Sequence, residues 1–264
     1  MASKWTLITG ASEGFGVEFA RLAAAEGRDL ILVARQASKM ELLAEELRRK
    51  HRIAVEVMPT DLSEPDAVEA LWRRASMRRH IDILINNAGL GYNGRFAAGD
   101  GGREMQSVMV NAVAATILMK RAVAHMVQQG GGRVLNIAST AAFMPGPNMA
   151  VYHATKAYLL ALSEAVAEEL KDSPVTVTAL CPGATKTNFA ADAGMEGIRL
   201  FSTLPVPAAG KVAKAGWRAM QRGERIRVTG LANKAFAFGP RVAPRRLVTR
   251  IAGLFLKPAE GGKR

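Results

Sequence analysis

Short apolar runs alternate with segments of helical period along the first 230 residues of the chain. The runs carry Val, Ile and Leu at consecutive positions, which is typical of strands buried on both faces. The segments between them repeat apolar residues every three or four positions, as amphipathic helices do. Because right-handed crossovers join such strands, the pattern predicts an α/β, doubly wound fold with a parallel sheet between two layers of helices.

Seven strands and five helices follow from this pattern. The predicted strands are 6–8, 30–33, 53–57, 81–85, 133–137, 175–180 and 225–228. The predicted helices are 14–26, 39–50, one that begins at Pro65, about 103–129 and 151–171. Residues 183–205 lack a regular pattern and predict a mobile flap. We expect one domain over residues 1–230, followed by a basic, helical extension over 231–264.

The composition is that of an ordinary globular protein. The chain has 264 residues, enough for one large domain, and 49% of them are hydrophobic and 22% charged. Cys181 is the only cysteine, so no disulfide forms within the chain and a reducing compartment fits. The N-terminus lacks a signal-peptide pattern, and no run of about eighteen uncharged apolar residues indicates a membrane span. These features predict a cytoplasmic protein.

The net charge of +13 is concentrated in the last quarter of the chain. Residues 199–264 contain 15 Lys/Arg and two Asp/Glu, whereas residues 1–198 contain 21 of each sign. Within residues 241–264, an apolar helical face has basic residues along its flank. The apolar residues are Leu247, Val248, Ile251, Leu254 and Phe255, and the flanking ones are Arg246, Arg250 and Lys257.

A basic amphipathic helix has several uses. It can pack against the protein body or a second subunit, lie on an anionic membrane surface, or steer an anionic substrate such as an acyl thioester carrier. We favour packing and leave peripheral membrane contact open. Nucleic acid is not an expected partner, because the extension has no aromatic-interleaved platform and no DNA-reading motif.

A glycine-rich turn joins the first strand to the first helix. Its sequence is Thr9-Gly10-Ala11-Ser12-Glu13-Gly14-Phe15-Gly16. Glycines permit a tight turn and close approach of the backbone to a pyrophosphate, and the helix N-terminus offers free N–H groups. The turn predicts a dinucleotide site of the Rossmann type, with contacts from Gly10, Ser12, Glu13, Gly14, Phe15 and Gly16.

The second strand ends in Ala34-Arg35, which bears on the choice of cofactor. Folds that use NAD often place an acid here for the ribose hydroxyls, whereas an arginine suits the 2′-phosphate of NADP. Arg35 therefore favours NADP(H). Glu13 argues the other way, because a carboxylate near the turn would repel the extra phosphate.

Three polar residues suit hydride transfer at a carbonyl or alcohol carbon. Tyr152 and Lys156 are spaced i and i+4, so they project from one face of a helix, and Ser139 precedes the tyrosine by thirteen residues. A free phenol, with a pKa of about 10, is a poor base at neutral pH. A neighbouring ammonium and an oxidised nicotinamide ring would lower that pKa. The arrangement predicts general acid–base chemistry beside a nucleotide.

These motifs together resemble the short-chain dehydrogenase/reductase family over about residues 4–230. The resemblance rests on the Thr9–Gly16 turn, Asn86-Asn87-Ala88-Gly89 after the fourth strand, and the tetrad Asn111, Ser139, Tyr152 and Lys156. It implies that Asn111 holds a water that links Lys156 to solvent. It also implies a homodimer or homotetramer built on helices 103–129 and 151–171. Further cofactor contacts that it implies are Asp61, Leu62, Asn87, Ala88, Gly89, Tyr152, Lys156, Pro182, Gly183, Thr185 and Thr187.

The function expected from these residues is NADP(H)-dependent interconversion of a carbonyl and a secondary alcohol. The predicted pocket, over residues 90–96, 140–149 and 187–205, favours a hydrophobic substrate through Phe96, Phe143, Met144, Met149, Phe189 and Phe201. One alternative is a dinucleotide-binding regulatory or scaffold protein with little turnover. Another is a membrane-surface ketoreductase for lipids or acyl carriers.

The four histidines and the single cysteine suggest no further chemistry. His51, His80, His125 and His153 lack metal-ligand spacing, so we expect surface or local polar roles and no metal. Cys181 lies at the end of the sixth strand and is expected to be a small buried residue.

Overall fold

Seven parallel strands form the centre of the molecule in the computed structural model, which describes residues 4–195, 198 and 206–257. The strands are β1 (Lys4–Thr9), β2 (Asp29–Ala34), β3 (Val55–Pro59), β4 (His80–Asn86), β5 (Gly132–Ile137), β6 (Val175–Cys181) and β7 (Ile226–Val228). Their order across the sheet is β3-β2-β1-β4-β5-β6-β7. The order reverses between β1 and β4, which opens a crevice at the carboxyl ends of these two strands.

Helices cover both faces of this sheet. They are α1 (Gly14–Ala25), α2 (Ala37–His51), α3 (Pro65–Ser76), α4 (Gly101–Val108), α5 (Ala115–Gln128), α6 (Ala150–Glu169), α7 (Phe189–Asp192), α8 (Ala209–Gln221), α9 (Leu231–Phe238) and α10 (Arg245–Phe255). A π-helical turn, Met109–Ala114, connects α4 to α5 without a break. Short 3-10 turns lie at Thr140–Phe143 and Gly239–Arg241.

The core has one layer on each face of the sheet. Leu32 points into the layer formed with α1, α2 and α8, where Phe19 and Trp217 are buried. Its neighbour Ile31 points into the layer formed with α3, α5 and α6, where Trp72 is buried. Side chains that alternate between two apolar layers explain the continuous apolar runs of the sequence. Full burial of each large apolar side chain stabilises the fold by about 1.5–3 kcal/mol.

The predicted α/β architecture is confirmed, as are all seven strands and all five helices, with small differences at their ends. The predicted helix over 103–129 contains the π-helical turn, which the spacing of its apolar residues does not reveal. Helix α8 was not predicted, although Val212, Ala213, Trp217 and Met220 supply the apolar stripe that buries it. Part of the predicted flap, residues 196–197 and 199–205, lies outside the described residues.

The helix that runs from Gly101 through Gln128 is, within the described residues, long and apolar enough to cross a membrane. Half of its most apolar window is buried inside the fold. Leu118, Met119, Ala122 and Met126 pack into the core beneath the sheet. Its apolar character is therefore explained by packing in the core.

The C-terminal segment packs against the body of the protein, as the favoured interpretation expected. Val248, Ala252 and Leu256 on one side of α10 are buried. Val248 and Ala252 form a small cluster with Met144, and Phe236 of α9 packs against it. Residues 258–264 of the predicted extension, including Lys263 and Arg264, lie outside the described residues.

Helix α1 approaches the end of β1 very closely at Gly16. A β-carbon built on Gly16 would collide with the carbonyl oxygen of Gly10 and would lie 2.8 Å from the Ala11 Cα. Backbone atoms on both sides leave no flexible side chain to move aside. Gly16 therefore sets how tightly α1 packs on the sheet.

We predict that Gly16→Ala destabilises the protein by about 1–3 kcal/mol, because the added methyl group overpacks two backbone segments. Urea unfolding followed by circular dichroism measures the change. Gly101→Ala is the matched control, since a methyl group there meets nothing within 4 Å. Equal unfolding midpoints for the two variants would contradict this account of α1 packing.

Candidate active site

A cavity of about 860 Å³ lies in the crevice at the carboxyl ends of β1 and β4. This is the size of a small-molecule or cofactor site. Of the predicted catalytic and cofactor-binding residues, only Gly16 and Asn111 do not line it. Those that line it are Gly10, Ser12, Glu13, Gly14, Phe15, Arg35, Asp61, Leu62, Asn87, Ala88, Gly89, Ser139, Tyr152, Lys156, Pro182, Gly183, Thr185 and Thr187.

The glycine-rich turn is fastened to the end of β4. The Asn87 side chain donates hydrogen bonds to the carbonyl oxygens of Thr9 and Gly10, at 2.8 and 3.1 Å. The Thr9 hydroxyl accepts hydrogen bonds from the backbone N–H groups of Asn87 and Ala88, both at 3.0 Å. Gly10 and Gly14 have φ values of +64° and +57°, which favour glycine. Asn87 was predicted as a cofactor contact, and it also holds the turn in shape.

Charged residues at the rim of the cavity are partly paired. Glu13 accepts a hydrogen bond from the Asn188 side chain at 2.8 Å and lies 3.6 Å from the Lys39 ammonium. Arg35 is exposed at the end of β2. The pKa of Asp61 is lowered by hydrogen bonds from the backbone and hydroxyl of Ser63, with a smaller contribution from Arg35. Glu13 thus has a cationic partner, which weakens its repulsion of a nearby phosphate.

Tyr152 and Lys156 lie one turn apart on α6 and both line the cavity. The Lys156 ammonium is 5.7 Å from the centre of the Tyr152 ring. It donates a hydrogen bond to the carbonyl oxygen of Ile137, at the end of β5, at 2.7 Å. The lysine is only 4% exposed. The predicted i, i+4 pair is therefore brought together, with its cation anchored to the sheet.

Burial dominates the ionisation of this pair. It raises the pKa of Tyr152 to about 12, against a smaller lowering by the hydrogen bond with Ser139. It lowers the pKa of Lys156 to about 8. In the protein alone, the tyrosine pKa therefore moves opposite to the expected lowering, because loss of solvation outweighs the hydrogen bond with Ser139. At neutral pH, Tyr152 is a phenol and Lys156 is largely charged.

Ser139 lies two residues past the end of β5 and caps the 3-10 turn that follows. Its hydroxyl oxygen accepts a hydrogen bond from the Ala141 N–H at 3.1 Å. The same hydroxyl is 3.5 Å from the carbonyl oxygen of Pro182, at the limit of a hydrogen bond. Its proton is thus weakly held and can turn toward an oxygen in the cavity beside Tyr152.

Asn111 lies behind the cavity wall, in the π-helical turn. Its carboxamide accepts from the Leu90 N–H and donates to the Leu90 carbonyl, both at 2.8 Å. It also donates to the Thr155 hydroxyl at 3.0 Å. These bonds fix the loop after β4 against α6, so the side chain of Asn111 positions its neighbours. The implied water relay stays a prediction.

One part of the cavity is walled by apolar side chains. Met144, Met149 and Phe189 line it, as the sequence suggested. Phe96 was wrongly predicted there and is 71% exposed, because Tyr92 fills the inside of its loop and contacts Gly94 and Gly99. Phe143 was also predicted there and instead packs against buried clusters beside the cavity. Phe201 lies outside the described residues.

The C-terminal helices supply cavity residues that sequence reasoning missed. Asn233 lies against Gly183, where a β-carbon would collide with its carboxamide. The other residues of these helices that line the cavity are Ala232, Phe236, Ala252, Phe255 and Leu256. No local signal marks them, because their neighbours in the fold are distant in sequence. Their apolar pattern indicated only that the helix has a buried side.

His153 has a local polar role, one of the two expected for the histidines, and it is buried rather than at the surface. Its Nδ1 pairs with the carbonyl oxygen of Met144 at 2.8 Å, and burial lowers its pKa. Cys181 is buried as expected, and burial raises its thiol pKa to about 12. Among the described residues, no group of three or more His, Cys, Asp or Glu is arranged to hold a metal ion.

Comparisons with known proteins agree with this site. The family model for short chain dehydrogenases matches residues 4–196. The ketoacyl reductase HetN of Nostoc sp. is 32% identical, over 81% of this chain and 76% of that protein. A short-chain dehydrogenase from Sphingobium yanoikuyae in complex with NADPH is 34% identical, with a TM-score of 0.82, over 88% of this chain and 90% of that one.

A second solved structure is that of an enzyme named for its substrate. The bulky-bulky ketone specific alcohol dehydrogenase from Comamonas testosteroni is 32% identical, with a TM-score of 0.76. The likeness covers 86% of each chain. The family model, the shared fold and the single cavity that gathers the predicted motifs all agree: the chain belongs to the short-chain dehydrogenase/reductase family of oxidoreductases, which act on CH–OH groups.

Proposed function

We propose that the protein is an NADP(H)-dependent reductase that interconverts a bulky, hydrophobic ketone and its secondary alcohol. The observation that carries this proposal is the placement of Ser139, Tyr152 and Lys156 on one cavity wall, between the glycine-rich turn and an apolar pocket. The names of relatives support it, since one is a ketoacyl reductase and another is specific for bulky ketones.

The residues present fit a dinucleotide. Helix α1 begins at the cavity with no side chain capping its first N–H groups, so these remain available to a pyrophosphate. Asp61 and Leu62 lie beyond the end of β3, where they would hold the adenine. Pro182, Gly183, Thr185 and Thr187 follow β6 and would hold the nicotinamide end. When bound, NADP(H) supplies or accepts the hydride.

Each catalytic side chain has a role that follows from its position. Tyr152 donates a proton to the ketone oxygen, and its raised pKa keeps that proton available at neutral pH. The Ser139 hydroxyl donates a hydrogen bond to the same oxygen and orients the ketone. Lys156 holds a positive charge beneath the phenol, which stabilises the phenolate left by proton transfer. A tyrosine that is protonated before the ketone binds suits ketone reduction, in which it is the proton donor.

Two features of the rim support NADP(H) over NAD(H). Arg35 extends from the end of β2 without burial, and Lys39 also lines the cavity. The Glu13 carboxylate, which argued against a second phosphate, lies beside Lys39. The related Sphingobium yanoikuyae structure contains NADPH. The guanidinium of Arg35 would bind the 2′-phosphate through two of its N–H groups.

A homodimer or homotetramer in the cytoplasm is the setting we propose for this enzyme. Met105, Val127 and Tyr158 leave exposed apolar surface along the helices from α4 to α6. Exposed side chains of this kind suit subunit contacts. The buried, unpaired thiol of Cys181 fits a reducing compartment.

We expect Tyr152→Phe to lower the rate of ketone reduction by about 10²–10⁴-fold, because it removes the proton donor. The measurement is loss of NADPH absorbance with a panel of bulky ketones, while NADPH fluorescence checks that binding is retained. Tyr158→Phe on the same helix is the matched control, since its hydroxyl pairs with that of Thr116 at the surface, away from the cavity. Equal rates for Tyr152→Phe and the wild type would remove Tyr152 as the acid. Dinucleotide binding without turnover of any ketone would favour the scaffold alternative.

The rate of reduction should depend on pH through Lys156. Because burial lowers the pKa of Lys156 to about 8, its charge is present below that pH and is lost above it. Tyr152, with a pKa of about 12, stays protonated over the same range. We therefore expect kcat/KM for the ketone to fall as the pH rises through about 8. The low residual activity of Lys156→Met should not fall as the pH rises through about 8. A wild-type kcat/KM that stays constant through this pH would contradict the role of Lys156.

Arg35→Ala should weaken NADPH binding by about 1–3 kcal/mol and leave NADH binding nearly unchanged, since only NADPH carries the 2′-phosphate. Fluorescence titration with both dinucleotides measures the two effects. Arg49→Ala is the control, because Arg49 is equally exposed but lies at the far end of α2. Equal losses for NADPH and NADH would show that Arg35 does not recognise the phosphate.

A further inference from the structure

Helix α10 has two apolar sides, and the fold buries one of them. Val248, Ala252 and Leu256 face the protein and are buried. Leu247, Ile251 and Leu254, at spacings of four and three residues, share the opposite side and are 48, 40 and 53% exposed. We call these three residues, with Arg246 and Arg250 beside them, the outer face of α10. Three large aliphatic side chains in water on one short helix indicate a surface that meets a partner.

The charged residues of the segment that carries the outer face have one sign. Residues 231–257, all of which the structure describes, contain no aspartate or glutamate. Their cations are all exposed: Lys234, Arg241, Arg245, Arg246, Arg250 and Lys257. A partner of complementary chemistry therefore carries negative charge next to an apolar layer.

An anionic lipid surface fits this description best, and we propose that the outer face of α10 docks the protein on one. A lipid surface presents anionic headgroups beside hydrocarbon, which matches arginines beside leucine and isoleucine on one helix. A second copy of the chain is disfavoured, because it would bring the same cations face to face. An acidic carrier protein would complement the charge of the arginines. Its charge alone gives Leu247, Ile251 and Leu254 nothing apolar to contact.

Docking by α10 also places the lipid next to the proposed substrate cavity. Ala252, Phe255 and Leu256 of the same helix line that cavity. A helix with its side chains is about 10 Å across, so α10 separates the lipid surface from the cavity by about 10 Å. A lipid surface close to the cavity suits a hydrophobic ketone that partitions into membranes, and this point rests on the proposed function. The docking itself requires no turnover.

Flotation of the full-length protein with phosphatidylcholine vesicles, with and without phosphatidylglycerol, tests the proposal. Binding is expected only to the anionic vesicles and should weaken as salt is raised. The double variant R246Q/R250Q should bind about 25-fold more weakly, at about fivefold for each arginine near the surface. The triple variant L247S/I251S/L254S should also lose binding, because it removes the inserted side chains. The single variant Leu254→Ser gives the same readout if the triple variant does not fold.

Matched controls lie on α2, away from the outer face. Leu42→Ser changes an aliphatic side chain that is 71% exposed, and Arg49→Gln removes an exposed arginine. Both should bind anionic vesicles as the wild type does. Ketone turnover in vesicle-free buffer should be unchanged in every outer-face variant, and light scattering should give the same mass for all of them.

Several results would overturn the proposal. The wild type could fail to float with anionic vesicles, or the triple variant could float as well as the wild type. A change of mass in the triple variant without vesicle binding would make the outer face a subunit interface. Binding to an acidic carrier protein without vesicle binding would assign it to that partner. Flotation does not measure turnover, so the vesicle-binding result would be interpreted in the same way if the proposed reductase activity were absent.

Discussion

A buried lysine beneath a partly buried tyrosine is the constraint on which the rest of the site depends. Lys156 reaches from α6 to the carbonyl oxygen of Ile137 at the end of β5, and little solvent reaches its ammonium. The lowering of its pKa from 10.5 to about 8 corresponds to about 3 kcal/mol of unfavourable desolvation. This cost to folding applies below about pH 8 and is relieved as the pH rises toward 10.5.

Buried amide side chains hold the elements that surround this charge. Asn86 of β4 donates to Asn136 of β5 at 2.9 Å, and Asn136 donates to Ser163 of α6 at 2.8 Å. Asn111 fixes the loop after β4 to the same helix through Leu90 and Thr155. Hydrogen bonds between buried side chains of this kind favour one arrangement of strands and helix. These bonds hold the elements that carry the proposed catalytic side chains.

The sequence predicts those parts of the fold whose signals are local. The apolar runs and the helical repeats give the strands and helices, because each element buries its own pattern against the sheet. Tyr152 and Lys156 were recognisable because their spacing is that of one helical turn. The glycine-rich turn was recognisable because its residues are adjacent in the chain.

Features that depend on distant contacts could not be predicted. The burial of His153 follows from its bond to Met144 in a loop whose path the sequence does not give. Asn233 reaches Gly183 only because the C-terminal helices fold back over the cavity. The exposure of Phe96 depends on Tyr92 filling the loop. The tyrosine pKa was misjudged because proximity of charge is visible in a spacing, whereas the extent of desolvation is visible only in the fold.

Titration of Lys156 shows whether the fold buries this side chain as an ammonium beside Tyr152. The protein would be labelled at the lysine side-chain carbons, and the resonance missing from Lys156→Met would identify Lys156 in the NMR spectrum of the wild type. We expect this resonance to titrate with a midpoint near pH 8. A midpoint at the ordinary lysine value of 10.5 would mean that the ammonium is solvated, and it would contradict the account of the site.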